Sequence, residues 1–169
     1  MAISASDVNE LRKKTGAGMM DCKKALTEAD GNFEKAIEIL RKKGAAVAAK
    51  RAERSANEGI VLTKLTEDGK TAYMVEVNCE SDFVGKSPDF LNFADFVLDT
   101  VVKFNPANVA ELMSITNDGK NLATELSDLI GKIGEKIEVS RLVIEKSETG
   151  IITDYLHHGS KLGVLVRAD

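Results

Sequence analysis

Apolar side chains recur along this chain with two different spacings, and the switches between them mark out the elements. Near the N-terminus the period is helical. Ser4 with Asp7 makes a capping-box pattern ahead of Val8 and Leu11, and Gly16 suits the end of that first helix. A second helix is predicted from about Gly18 through Ala29, with Cys22, Ala25, Leu26 and Ala29 on one face and Met19 at its margin. The third runs from Asn32 to Lys43, where Phe33, Ala36, Ile37 and Leu40 fall at helical spacing and Gly44 is expected to close it. Residues 44–58 are rich in alanine and basic side chains and offer little of size to bury, which reads as a semi-rigid helical connector.

The period then drops to two. Tyr73, Val75, Val77 and Cys79 alternate with Ala72, Met74, Glu76 and Asn78, the pattern of a half-buried strand. With Gly59–Thr66 it forms a predicted hairpin, Gly59–Thr66 and Lys70–Cys79 flanking the turn Glu67-Asp68-Gly69. Past Cys79 the alternation ends, and Ser87-Pro88 reads as the N-cap and first residue of a helix. Phe90, Phe93, Val97 and Val101 carry that helix to about Phe104, where Asn105-Pro106 stops it. Leu122, Leu126, Leu129 and Ile133 predict another helix over Asn121–Ile133, followed by a strand over Lys136–Glu145. A last hairpin joins Gly150–Leu156 to Lys161–Val166 through His157-His158-Gly159-Ser160. A lone hairpin is marginal, so these strands need the body's sheet or further material, and the ending reads as a chain cut within a domain. The predicted class is α+β: a three-helix module with basic linker over 1–54, an antiparallel sheet with covering helices over 55–146, and a further, cut-off hairpin segment over 147–169.

Composition adds limits. Of 169 residues, 43% are hydrophobic and 30% charged, ordinary values for a soluble globular protein. No apolar run approaches the ~18 residues of a membrane span, and Met1-Ala2-Ile3-Ser4 lacks the features of a secretory signal. Cys22 and Cys79 are far apart at apolar-face positions, so a reduced, cytoplasmic setting is expected. Charge is uneven. Residues 1–54 hold 12 Lys/Arg against 8 Asp/Glu, a net +4, on a chain whose total is −4. A basic module on an acidic body suggests an anionic partner, either nucleic acid or an acidic protein surface.

Catalytic chemistry finds little footing. Thr15-Gly16-Ala17-Gly18 has two glycines of a dinucleotide loop, lacks the third, and follows a helix instead of a strand. His157 and His158 are adjacent, so on extended chain they point to opposite sides and cannot chelate one metal. Nothing in the spacing pairs Cys79 or Ser81 with either histidine as nucleophile and base. No enzyme activity, cofactor or metal is expected. Two other features invite contact. Met20 falls opposite the apolar face of its helix, beside Lys24. Asp82-Phe83 lies in a short connection between two rigid elements, where recognition residues concentrate. Such a phenylalanine either projects or folds back onto its own core, and the loop alone leaves both open.

Four segments, in order, carry a resemblance over essentially the whole chain. Leu11-Arg12-Lys13-Lys14-Thr15-Gly16-Ala17-Gly18-Met19-Met20-Asp21-Cys22-Lys23-Lys24-Ala25-Leu26 and Val75-Glu76-Val77-Asn78-Cys79-Glu80-Ser81-Asp82-Phe83-Val84 resemble the N-terminal and core signatures of bacterial elongation factor Ts. Lys132-Ile133-Gly134-Glu135-Lys136-Ile137 and His158-Gly159-Ser160-Lys161-Leu162-Gly163-Val164-Leu165-Val166 resemble further segments of that family. The resemblance implies a ubiquitin-associated-like three-helix N-domain and a core of two related α+β halves. It implies a guanine-nucleotide exchange factor acting in translation elongation on the nucleotide domain of elongation factor Tu, with neither direct nucleic-acid contact nor a membrane. It makes Phe83 a wedge that disturbs the magnesium site of Tu, Asp82 its polar partner, and Ser81 and Val84 the residues that fix the loop. Arg12, Met19 and Met20 would form the N-domain contact. The chain departs from the family pattern in having Ser81 where threonine is usual, which keeps the hydroxyl. It also ends at Asp169, early in the family's second core half and before its coiled coil.

Overall fold

The computed structural model describes residues 3–169, which form an α+β fold dividing into two compact units. Along the chain these are α1 (Ala5–Thr15), α2 (Met19–Glu28), α3 (Phe33–Arg51), β1 (Glu58–Leu65), β2 (Thr71–Cys79), α4 (Asp82–Gly85) and α5 (Pro88–Phe104). Next come α6 (Val109–Ser114), β3 (Thr116–Asn117), β4 (Lys120–Asn121), α7 (Leu122–Ile133), β5 (Ile137–Lys146), β6 (Ile151–Leu156) and β7 (Gly163–Ala168). The first unit takes the chain up to Glu53 together with Ser127–Glu135; the second takes Arg54–Leu126 and Lys136–Asp169.

In the first unit the helix ends obey local chemistry. The Ser4 hydroxyl accepts the Asp7 N–H at 3.1 Å while the Asp7 carboxylate accepts the Ser4 N–H at 3.0 Å, a reciprocal cap. Asn32 accepts the Lys35 N–H at 3.0 Å and starts α3. Gly16, at φ +68°, ends α1 and donates its N–H to the Arg12 carbonyl at 2.8 Å. Val8, Leu11, Cys22, Ala25, Leu26, Ala29 and Ala36 form the small core, and Phe33, Ile37 and Leu40 pack against it.

Gly44 does not close α3, contrary to the sequence expectation; the helix continues to Arg51. The glycine serves packing instead. A Cβ on Gly44 would lie 3.0 Å from the Ser127 carbonyl oxygen, and one on Gly131 would lie 2.8 Å from Gly44 Cα. The two backbones therefore approach where neither residue has a side chain. Gly131→Ala should cost about 1–3 kcal/mol of packing strain against roughly 1 kcal/mol gained in helix propensity. The expected net is a loss of about 1 kcal/mol, read as a fall of roughly 2–4 °C in thermal unfolding; a rise would mean the crossing opens freely.

The second unit is built on an antiparallel sheet in the order β1-β2-β5. Ile60 pairs with Val77 and Val75 with Leu142, and the β2–β5 register shifts between Glu76 and Val77. Tyr73, Val75, Val77 and Cys79 are buried, as the alternation requires. Helix α5 covers this side with Phe90, Phe93, Ala94, Val97, Leu98 and Val101 buried, and the Tyr73 hydroxyl reaches the Asn105 side chain at 3.3 Å. The β6–β7 hairpin leans on the opposite face. Val61 N–H donates to the Ser160 carbonyl at 2.7 Å, Ile152 N–H donates to the Gly69 carbonyl at 2.8 Å, and Gly163 approaches Val61 and Met74. Helix α6 and the β3–β4 pair have no counterpart among the elements that spacing predicts. They are too short to show a hydrophobic period: Asn108 caps α6, which buries Leu112, and buried Asn117 donates to buried Thr100 at 3.0 Å.

Candidate functional site

Strand β2 is the middle strand of its sheet, hydrogen-bonded on both sides down to Cys79. Just beyond it the chain makes a capped helical turn, where the sequence suggests a loop. Ser81 is extended (φ −121°, ψ 154°), and its hydroxyl accepts the Val84 N–H at 3.3 Å. Its carbonyl accepts the Gly85 N–H at 3.1 Å, closing the single turn Asp82–Gly85. The turn has a seat. The Cys79 thiol, fully buried, donates to the Ser81 carbonyl at 3.2 Å. Gly85 is buried, with a Cβ position 3.5 Å from Cys79 Sγ and 3.8 Å from Gly59 N. On the exit side Ser87 donates both its N–H and its hydroxyl to the Val84 carbonyl, at 2.9 and 2.8 Å, before Pro88 opens α5.

On this base Phe83 is 83% exposed. The ring does not fold back onto the core, so a large apolar group stands in water on a turn fixed at both ends. Asp82, beside it, receives Lys86 Nζ at 2.9 Å. That hydrogen bond and the lysine's charge hold the Asp82 carboxyl below its usual range and raise Lys86 in return. Asp82 is thus anionic throughout neutral pH. Sequence reasoning misses Lys86, although four residues is the spacing at which helical side chains meet; the signal is there once the segment is read as a turn of helix. Val84 is half-buried.

Ser81, Asp82, Phe83 and Val84 therefore share one turn of the second unit. Arg12, Met19 and Met20 belong to the first unit. Arg12 is exposed in the last turn of α1. The link to α2 is tied by the Thr15 hydroxyl, which donates to the Leu11 carbonyl at 2.9 Å and accepts the Ala17 N–H at 3.3 Å. Cys22 N–H then bonds the Gly18 carbonyl at 2.9 Å. Met19 and Met20 open α2 at 52% and 63% exposure, in front of exposed Lys23 and Lys24. Both sites thus present flexible or aromatic apolar groups beside charge, a composition suited to a protein partner. Among the described residues no group of three His, Cys, Asp or Glu side chains could hold a metal ion. No helix among them is long and apolar enough to cross a membrane.

Comparison with known proteins bears on the same segments. Residues 80–169 match the family model described as elongation factor TS. Elongation factor Ts of Chlorobium phaeobacteroides is 47% identical over 168 residues, covering 97% of this chain and 58% of the relative. The corresponding proteins of Alkalilimnicola ehrlichii and Clostridium perfringens are 48% and 49% identical, over 100% and 96% of this chain and 58% and 54% of their own length. The chain spans somewhat more than half the length of these relatives. The family match over more than half of its residues, containing the Ser81–Val84 turn, and the near-complete alignments together place it: the chain belongs to the elongation factor Ts family.

Proposed function

We propose that this protein is a guanine-nucleotide exchange factor, binding the nucleotide domain of elongation factor Tu and promoting GDP release by disturbing its magnesium site. It works by binding and carries out no covalent chemistry of its own. The observation that carries the reading is Phe83, a large apolar ring held out in water by a turn that is capped, seated and closed at both ends. A hydrophobic side chain so placed gains free energy only when a partner buries it.

The mechanism is linkage. A factor that prefers nucleotide-free Tu to loaded Tu must weaken the nucleotide by the same ratio. A thousandfold weakening takes about 4 kcal/mol of coupling. Burial of the Phe83 ring contributes roughly 1.5–3 kcal/mol, so the wedge alone falls short. A second grip by Arg12, Met19 and Met20 would hold the distorted state. Asp82, already paired with Lys86, is a poor rival for a hard cation held by phosphates and water. Its part is to keep the turn polar beside the ring, while the ring displaces the ion's protein support.

The basic stretch 1–54 raises RNA binding as the competing reading, but stacking platforms are missing from it. Its single aromatic, Phe33, is half-buried and has Lys14 Nζ 5.3 Å from its ring centroid. Calorimetric titration with nucleotide-free Tu, GDP-loaded Tu and a structured RNA separates the two. The expected result is a preference of about a hundredfold or more for nucleotide-free Tu and no saturable RNA binding. Equal affinity for both forms of Tu overturns the exchange reading. In the same assay Met20→Asp should weaken Tu binding about tenfold with an unchanged unfolding temperature, since a charge replaces a desolvated apolar contact. Unchanged affinity would remove Met20 from the interface.

A further inference from the structure

The residue immediately before the Ser81–Val84 turn has a geometry that the turn's own hydrogen bonds do not explain. The Glu80 side chain, 19% exposed, bridges three separate stretches of chain. One carboxylate oxygen accepts the Lys136 backbone N–H at 2.6 Å at the entry to β5, and the other accepts the Arg54 guanidinium at 2.8 Å. Lys136 closes the ring by donating its ammonium to the Arg54 carbonyl at 3.0 Å and pairing with Glu138 at 3.0 Å. A carboxylate with both oxygens engaged and little access to water is a stiff joint. It sits where β2 has just left its ladder, because the pairing of β2 with β5 ends at Cys79 and Ile137. Beyond that pair, the Glu80 contacts tie the departing strand to the start of β5.

We infer that Glu80 is a positioning residue for Phe83: it fixes the strand's exit against Lys136 and Arg54, so that the turn delivers the ring in one direction. The inference rests on the reading of Phe83 as the intruding side chain. Losing the carboxylate leaves the ring and the Cys79 seat in place but lets the turn pivot and open its Ser81 hydrogen bonds more often. A pivoting ring still meets the partner, yet reaches the displacing position less often. The effect therefore falls on the maximal exchange rate and not on the concentration of factor needed to reach half of it.

The control lies on the same strand. Glu76 pairs with Arg141 at 2.6 Å, is 22% exposed, and has no contact with the turn among those described. Glu80→Ala, Glu80→Gln, Arg54→Ala and Glu76→Ala are compared by stopped-flow release of fluorescent GDP from Tu. Amide hydrogen exchange at Val84 and Gly85 is followed by NMR on the free proteins. Glu80→Ala should lower the plateau release rate about tenfold, change the half-saturating concentration less than about threefold, and speed exchange at both amides. Glu80→Gln should restore most of the rate, because its amide oxygen still accepts from Lys136 N–H, and Arg54→Ala should fall between. Glu76→Ala should leave rate and exchange unchanged. A Glu80→Ala plateau no lower than that of Glu76→Ala, or a Glu80→Gln loss as large as that of Glu80→Ala, overturns the assignment. Should Glu80→Ala fail to fold, Arg54→Ala and Glu80→Gln decide by the same readouts. If the unsubstituted chain does not stimulate Tu, the exchange reading fails, and the Val84 and Gly85 amides alone then judge whether Glu80 holds the turn.

Discussion

Phe83→Ala should reduce the maximal rate of stimulated GDP release from elongation factor Tu by between about tenfold and a hundredfold, the equivalent of roughly 1.5–3 kcal/mol of ring burial. Binding should suffer much less. On the proposed reading, the contacts by Arg12, Met19 and Met20 survive the loss of the ring and go on holding the two proteins together. Ring insertion belongs to the disturbed state alone. Removing it raises only that state, which shows as a lower plateau with a nearly constant half-saturating concentration. Phe83 is 83% exposed in the free protein, so its loss should leave stability within about 0.5 kcal/mol of the parent. Stopped-flow release, paired with thermal unfolding, checks both halves. Undiminished stimulation by Phe83→Ala would show that some other group opens the nucleotide site.

A large effect on stability is expected at Gly59, underneath that turn. Its φ is +144°, and a Cβ there would sit 2.1 Å from the Val77 carbonyl oxygen and 2.7 Å from Asn78 Cα. Both obstacles are backbone of the central strand and cannot swing aside like the tip of a long side chain. Gly59→Ala should therefore cost about 3–5 kcal/mol, combining backbone strain with overpacking. For a chain of this size that lowers the unfolding transition of the second unit by roughly 10 °C. Gly119→Ala is the natural comparison. Gly119 also has positive φ, +77°, but nothing lies within 4 Å of its added Cβ, so only the backbone term of about 1–2 kcal/mol remains. Similar losses at the two sites would mean that β1 shifts to accommodate the methyl group.

Legibility in the sequence followed the physical source of each element. Where burial sets the period, as in Tyr73-Val75-Val77-Cys79 or Phe90-Phe93-Val97-Val101, spacing alone located the element and its covered side. Where caps set the ends, as at Ser4, Asn32, Ser87 and Asn105, the boundaries were readable too. Gly44 misled because glycine has two uses, chain termination and close backbone approach, and only a distant partner, Gly131, tells them apart. The β3–β4 pair and α6 are too short for a period: α6 buries Leu112, and the hydrogen bonds of Asn108, Asn117 and Thr100 leave no periodic trace. At the candidate site the ring itself could be singled out, yet its direction could not. That depends on Cys79, Gly85 and Gly59 meeting beneath it, and on Glu80 reaching Lys136 across 56 positions of chain.

Any group that forces its way into another protein is pushed back with equal strength, and the recoil must go somewhere. On the proposed reading it would run down β2, which is bonded to β1 on one edge and to β5 on the other. Thrust along that strand loads both ladders in shear, many hydrogen bonds at once, instead of peeling them singly from a free edge. The same tip mounted on an outer strand would have a single ladder behind it.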